Sequence, residues 1–368
     1  MMKSIDNEKL EKSHRSVWFK TGQLIVVLSI LLIPYIFHTN GRITVSSFLD
    51  TVTQLKAQSK GNMSKNIGIR SILKRFVAIE QEEGVGARVR RSIGSLKVRR
   101  FSPFLMLDHF TVNAPAGFPD HPHHGQETIT YVLGGMIAHE DFSGSKGVLY
   151  PGDLQFMTAG KGIVHSEIPV KMDSGEPAVG LQLWVDLPSK LKNVEPRYRD
   201  LRSAKIPIVQ PSENLKVRVI SGESYGVKSL RDLAYTPVHF YHFSISKKGV
   251  KFAQRFPDSF NVFLYITKGS IEIAGEICPT FSAIFFNCDG SAVEGISASE
   301  DVEFALIGGE ILHQEVVQHG PFVETDNEKL QEVFRNYQYG INGFERAHNW
   351  RSSIANGVDE SEARIING

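Results

Sequence analysis

Between Val77 and Glu310 the chain never runs far without a glycine or proline turn, and what lies between the turns is strand-like. "TITYVLGGMIAHEDF" (128–142) is a β-branched and aromatic run, a Gly-Gly break, then a second such run. "GVLYPGDLQFMTAGKGIVHSEIP" (147–169) repeats the style around a Pro-Gly turn and a glycine-rich turn. Residues of this kind favour the pleated, half-buried surface of a sheet, and glycine and proline supply the turns. "GVGARVRRSIG" (84–94) alternates apolar and basic residues, as a half-exposed strand does, and "VGLQLWVDLP" (179–188) is apolar enough for a buried one. Composition agrees: 32 glycines, and 23 phenylalanines against 10 tyrosines and 3 tryptophans, suit many short strands. A length of 368 residues allows two domains of moderate size.

"LPSKLKNVEPRYRDL" (187–201) turns polar and proline-bearing, and reads as a linker. After it a second strand set begins: "LKVRVISG", "TPVHFYHFSISKKG", "NVFLYITKGSIEIAGE", "TFSAIFFNCDG" and "DVEFALIGGE". "ETITYVLGGMIAHED" and "NVFLYITKGSIEIAGE" share a strand, a glycine turn and a strand, which suggests an internal duplication. The expected fold is all-β, two tandem jelly-roll barrels with a short C-terminal helix. The expected divisions are an N-terminal extension (1–62), a first barrel (63–187), a linker (188–212), a second barrel (213–351) and a polar, frayed tail (352–368). In "NEKLQEVFRNYQYGINGFERAHNW", Leu330, Val333, Phe334 and Tyr337 have helical spacing, with Asp326 as N-cap and Lys329 where a capping box would need Glu.

The extension holds "LIVVLSILLIPYIF" (24–37), an apolar run shorter than the roughly 20 residues of a spanning helix. It reads either as a signal or anchor segment or as part of an extension ahead of an alternative start at Met63. Membrane contact is expected only if residues 21–37 are retained as an anchor. A net charge of +1 gives the whole chain no strong pull toward nucleic acid or anionic lipid. The only two cysteines, Cys278 and Cys288, cannot form a disulfide framework; both read as small buried hydrophobes in a reducing compartment.

Chemistry concentrates in "PDHPHHGQET". His121 and His123 are two apart, so on a strand both imidazoles share a face. "GIVHSEI" repeats the spacing with His165 and Glu167. Two such pairs on neighbouring strands bring three imidazoles and a carboxylate together, a donor set suited to a divalent first-row metal. His124 is assigned to the opposite face or to a place behind the ligands. Glu127 is read as a fifth ligand, as the acceptor of a hydrogen bond from a ligating imidazole, or as a catalytic base. His139, and His239 with His242, read as structural. "TAGKG" lacks phosphate-loop spacing and is read as a strand turn. The basic stretch Arg88, Arg90, Arg91, Lys97, Arg99 and Arg100 reads as a solvated strand face, with a nucleic-acid or protein patch as the alternative.

"FLMLDHF", "PAGFPDHPHHGQETITYVLGG", "HEDFSGSKG", "PGDLQFMTAGKGIVHSEIP", "GLQLWVDLP" and "GPFV" together resemble the pirin family of the cupin superfamily, plant members in particular. The resemblance runs from about Val77 to Arg351. It implies two cupin barrels with one iron ion, Fe(II) or Fe(III), per chain, held in the first barrel by His121, His123, His165 and Glu167, and a second barrel without a metal. The sequence departs from the family pattern at His124 and Lys161, where arginine is usual, and at Phe156, where tryptophan is usual. The resemblance implies three functions. The first is a nuclear co-regulator that meets a transcription factor or signalling protein without direct nucleic-acid binding. The second is a quercetin-type dioxygenase acting on a flavonol, with Glu167 or Glu127 as base. The third is a catalytically silent scaffold. Nucleus is the expected compartment, with cytoplasm as the alternative.

Overall fold

A computed structural model of the protein describes residues 68–84, 86–230 and 234–367. The apolar run at 24–37, and with it the anchor question, lies outside these residues. Among the described residues no helix is long and apolar enough to cross a membrane.

Two barrels are built on one plan. In the first, a seven-stranded sheet runs in the order Arg197–Leu201, Leu154–Thr158, Gln126–Gly134, Ala178–Asp186, Phe104–Val112, Ala87–Ile93, Glu80–Glu83. It faces a smaller sheet in which Ile163–Lys171 lies between Phe118–His123 and Ile137–Asp141. In the second barrel a seven-stranded sheet centred on Phe260–Lys268 and Val302–Glu310 faces a four-stranded one. The expected all-β fold is thus present, with two stacked barrels.

Period-two alternation decides what each strand presents to each side. Ile129, Tyr131, Leu181 and Leu183 point out of the first barrel and meet Phe263, Tyr265, Ala305 and Ile307 of the second in one buried seam. Their strand neighbours point inward. In the second barrel these are Val262, Leu264, Phe304 and Leu306, which pack with Phe243, Phe252 and Phe256 into a dry core. In the first they are Thr130, Gln182 and Trp184, with Gln182 in register with Thr130 and Trp184 with Thr128. Each fully buried Leu or Phe contributes about 1.5–3 kcal/mol, so seam and second core supply most of the hydrophobic stabilisation.

The barrels also trade their ends. Ile72–Val77 pairs with Ser282–Phe286 and forms an edge of the second barrel's large sheet. In return, the hairpin of Val317–His319 and Phe322–Glu324, helix α1 (Asn327–Tyr339) and helix α2 (Glu360–Asn367) lie against the first barrel. Phe322, Leu330, Val333 and Phe344 pack on Met157, Ile163 and Val164. Asp326 caps α1 by accepting from Lys329 N at 2.8 Å, as its sequence position suggests. Close approach explains two glycines. A Cβ on Gly125 (φ +72°) would stand 2.0 Å from Val323 O, and one on Gly162 would stand 2.7 Å from the Phe344 ring.

Three expectations need correction. The tail from Ser352 is not frayed: Val358 pairs with Val170, and Ile354, Val358 and Ala363 are buried against Met136 and Val148. Those apolar residues, spaced among polar ones, escape a reading of composition. The proline-bearing linker supplies a strand to each barrel, Arg197–Leu201 and Ile208–Ser212, both at sheet edges where polar faces are tolerated. Cys288 is exposed, while Cys278 is buried.

Candidate metal centre

The strand Ile163–Lys171 pairs antiparallel with Phe118–His123, setting His165 directly opposite His121 and Ile163 opposite His123. Three imidazoles therefore converge inside the first barrel. Their ring centroids are 4.3 Å (His121–His165), 4.9 Å (His121–His123) and 5.0 Å (His123–His165) apart. One ring nitrogen from each falls within 4.8 Å of the others, a grouping that could hold a metal ion. Burial holds all three below the usual histidine range. His121 lowers His123 further, and both lower His165, while Glu167 pulls His121 partly back. A metal ligand must be a neutral imidazole, and burial supplies that form.

The donor set fits a metal on structural grounds. Both nitrogens of His165 are buried and have no hydrogen-bond partner. A fully orphaned imidazole is costly, and an ion at the shared point satisfies one nitrogen. His121 Nδ1–H donates to Pro119 O at 2.8 Å, leaving Nε2 for the ion. His123 Nδ1 lies 2.9 Å from the Gln126 side-chain amide.

Glu167 is beside the trio but outside that 4.8 Å set. Its Oε1 accepts from Thr130 Oγ1 at 3.0 Å, and its Oε2 from Gln182 Nε2 at 3.0 Å. The site opens into a cavity of about 1070 Å³ whose walls include Phe76, Met106, Phe118, Trp184 and Pro321, together with Arg91 and Asp108. Trp184 stands edge-on to His123 at 5.1 Å between centroids.

Two predicted helpers lie elsewhere. Glu127 turns to the seam, where Thr158 Oγ1 donates to it at 2.7 Å and the backbone N–H groups of Tyr235 and Thr236 donate at 2.9–3.1 Å. It is neither a ligand nor the partner of one, because its strand belongs to the large sheet and alternation directs it away from the cavity. His124 also turns away: Nδ1 lies 3.0 Å from Lys161 O and Nε2 2.9 Å from Glu324 Oε1. It fastens the hairpin rather than attending the metal site. Three further histidines are structural: His139 meets Gln155 at 3.0 Å, His242 meets Tyr131 Oη at 2.8 Å across the seam, and His239 lies against Phe260. The basic stretch is largely neutralised at home. Arg88 and Arg90 pair with Glu80, and Arg91 with Asp108 and Glu83. Lys97 lies over Phe76, and Arg100 donates to Val316 O. Sequence reasoning missed Thr130, Gln182 and Gln126, neutral residues that only register brings to the site.

Comparisons with known proteins agree with this arrangement. Residues 86–185 match the Pirin family model and residues 240–343 match that of the Pirin C-terminal cupin domain. Human pirin is 45% identical over 284 residues, 75% of this chain and 95% of its own. A pirin-like protein from Solanum lycopersicum is 43% identical over 287 residues, 77% of this chain and 96% of its own. Among solved structures, a quercetin 2,3-dioxygenase from Acinetobacter baumannii superposes with a TM-score of 0.68 at 26% identity, covering 74% of this chain and 98% of that one. Two cupin barrels, one carrying a histidine trio and one filled with phenyl rings, and matches of this extent lead to one conclusion: the chain belongs to the pirin family.

Proposed function

We propose that the protein is an iron-dependent oxygenase of the flavonol-cleaving type, with one ion per chain held by His121, His123 and His165 and with Glu167 available as the fourth ligand. The observation that carries this reading is the histidine trio, two of whose members, His121 and His123, line a cavity of about 1070 Å³ together with Glu167. That volume is ample for a planar polyphenol. Iron so held would supply a Lewis-acidic, redox-active centre. Phe118, Met106 and Trp184 line an apolar cavity wall and exclude water from a bound aromatic ring. Glu167 is the carboxylate placed to take the proton of a substrate hydroxyl at Oε1 or Oε2. Thr130 and Gln182 hold it from behind. Protein loaded with Fe(II) should consume oxygen in the presence of quercetin. Stoichiometric iron without oxygen uptake would leave the scaffold reading in its place.

A second reading, a nuclear co-regulator that presents its metal state to a transcription factor or signalling protein, is favoured by one connection. Gln126, which meets His123, donates from Nε2 to Pro321 O at 3.0 Å. Pro321 belongs to a hairpin turn whose His319 and Gly320 are exposed. A change at His123 thus has a short hydrogen-bonded route to the surface. Partner capture that is equal for Fe(II) and Fe(III) forms would remove this reading. Imaging of tagged chains begun at Met1 and at Met63 tests the nuclear assignment and the role of residues 1–62.

A further inference from the structure

Metal-bound histidines nearly always donate their outer N–H to a carboxylate, carbonyl or water, which fixes ring orientation. Here His121 has Pro119 O and His123 has Gln126, but His165 has no outer partner. The neighbouring strand supplies a candidate. Ile137–Asp141 pairs antiparallel with Ile163–Lys171 on the side away from His121, and Asp141 is directly opposite His165. Directly opposed residues share a face, with Cβ atoms about 4.5–5.5 Å apart. His121, His165 and Asp141 therefore form one row across three strands.

Asp141 divides its carboxylate. Oδ1 accepts from the backbone N–H groups of Ser143, Gly144 and Ser145, tying the turn. Oδ2 is buried and has no partner. The Tyr198 hydroxyl is buried and unpartnered too, its ring stacked on His139 at 6.2 Å. Burial, and next the nearby Asp141 and Glu167 carboxylates, push that phenol well above its usual range, so it stays a neutral donor. Orphaned acceptor, donor and imidazole in one buried place are rare in folded proteins.

We propose that Asp141 Oδ2 is the outer partner of His165, taking its N–H when the opposite ring nitrogen binds a metal, and that the Tyr198 hydroxyl donates to the same carboxylate. Asp141 and Tyr198 are then positioning residues. The inference rests on the metal reading above.

Co(II) alone is a suitable probe, followed by its visible absorption and by chelator competition. Asp141→Asn keeps Oδ1 for the turn and replaces only Oδ2. It should weaken Co(II) binding about 10- to 100-fold and shift the absorption band, while the metal-free protein melts as before. Tyr198→Phe should weaken binding about 10-fold, the lower end of the same range. Co(II) affinity within twofold of wild type for Asp141→Asn would overturn the proposal. If that variant fails to fold, unchanged affinity in Tyr198→Phe would do so. His165→Ala separates the two readings: if it binds Co(II) as tightly as wild type, the histidine site itself is wrong, whatever Asp141 does.

Discussion

The two barrels have the same large sheet and opposite interiors. At matching depth, the second presents Leu264 in register with Leu306, with Phe304 stacked on Phe243 at 4.7 Å. The first presents Thr130 in register with Gln182, and behind them Glu167 and three histidines. Architecture is therefore silent about chemistry here. A cupin barrel becomes a site when its inward positions carry polar groups, and a strut when they carry phenyl rings. The histidine barrel leans on a neighbour with an apolar core through a shared apolar seam.

The largest test of this contrast removes a ring from the strut. Phe304→Ala should cost about 3–5 kcal/mol in chemical denaturation, yet leave the metal stoichiometry of the folded fraction unchanged. A loss of metal at intact stability would break the division of labour.

Acid should act next, at the seam. His109 of the first barrel packs on Tyr265 and Phe281 of the second, and burial with nearby Arg90 lowers it to about 4. Its unfolded counterpart protonates near 6.5, so between these values the unfolded state binds the extra proton. The contribution is whole above pH 6.5 and is lost progressively down to about pH 4, up to about 3 kcal/mol. His109→Phe should flatten that part of the stability–pH curve. An unchanged slope would show that the seam does not govern acid sensitivity.

Glu127→Gln removes the charge that accepts backbone N–H groups of Tyr235 and Thr236 across the seam. It should cost about 1.5–3 kcal/mol and leave metal affinity untouched, sharpening the distinction between seam and site. The smallest effect should have the opposite sign. His165→Leu makes the first barrel more like the second: metal binding is lost, but the metal-free protein gains about 1 kcal/mol, because a buried unpartnered imidazole is gone. Destabilisation would mean that His165 also supports the fold.

Much of this contrast was legible in the sequence because it rests on local spacing. Residues two apart share a face, so His121 with His123, and His165 with Glu167, announced themselves. Leu330, Val333, Phe334 and Tyr337 likewise marked α1. What was not legible depends on partners far along the chain. Glu127 and His124 look like members of the histidine cluster until Tyr235 and Glu324 are brought to them by the second barrel and the hairpin. Thr130, Gln182 and Asp141 carry no signature of their own; strand register alone gives them meaning. The basic stretch, read as a solvated strand face, left a patch open as the alternative because its acids, Glu80 and Asp108, lie on the neighbouring strands on either side.

The traded ends have a consequence for how the molecule comes into being. A ribosome releases the histidine-bearing barrel first, yet the hairpin that meets Gln126 and the helices that cover Met157 and Val148 emerge only after the whole second barrel. Until they arrive, the first barrel's apolar outer wall around Met157, Ile163 and Val164 stands uncovered.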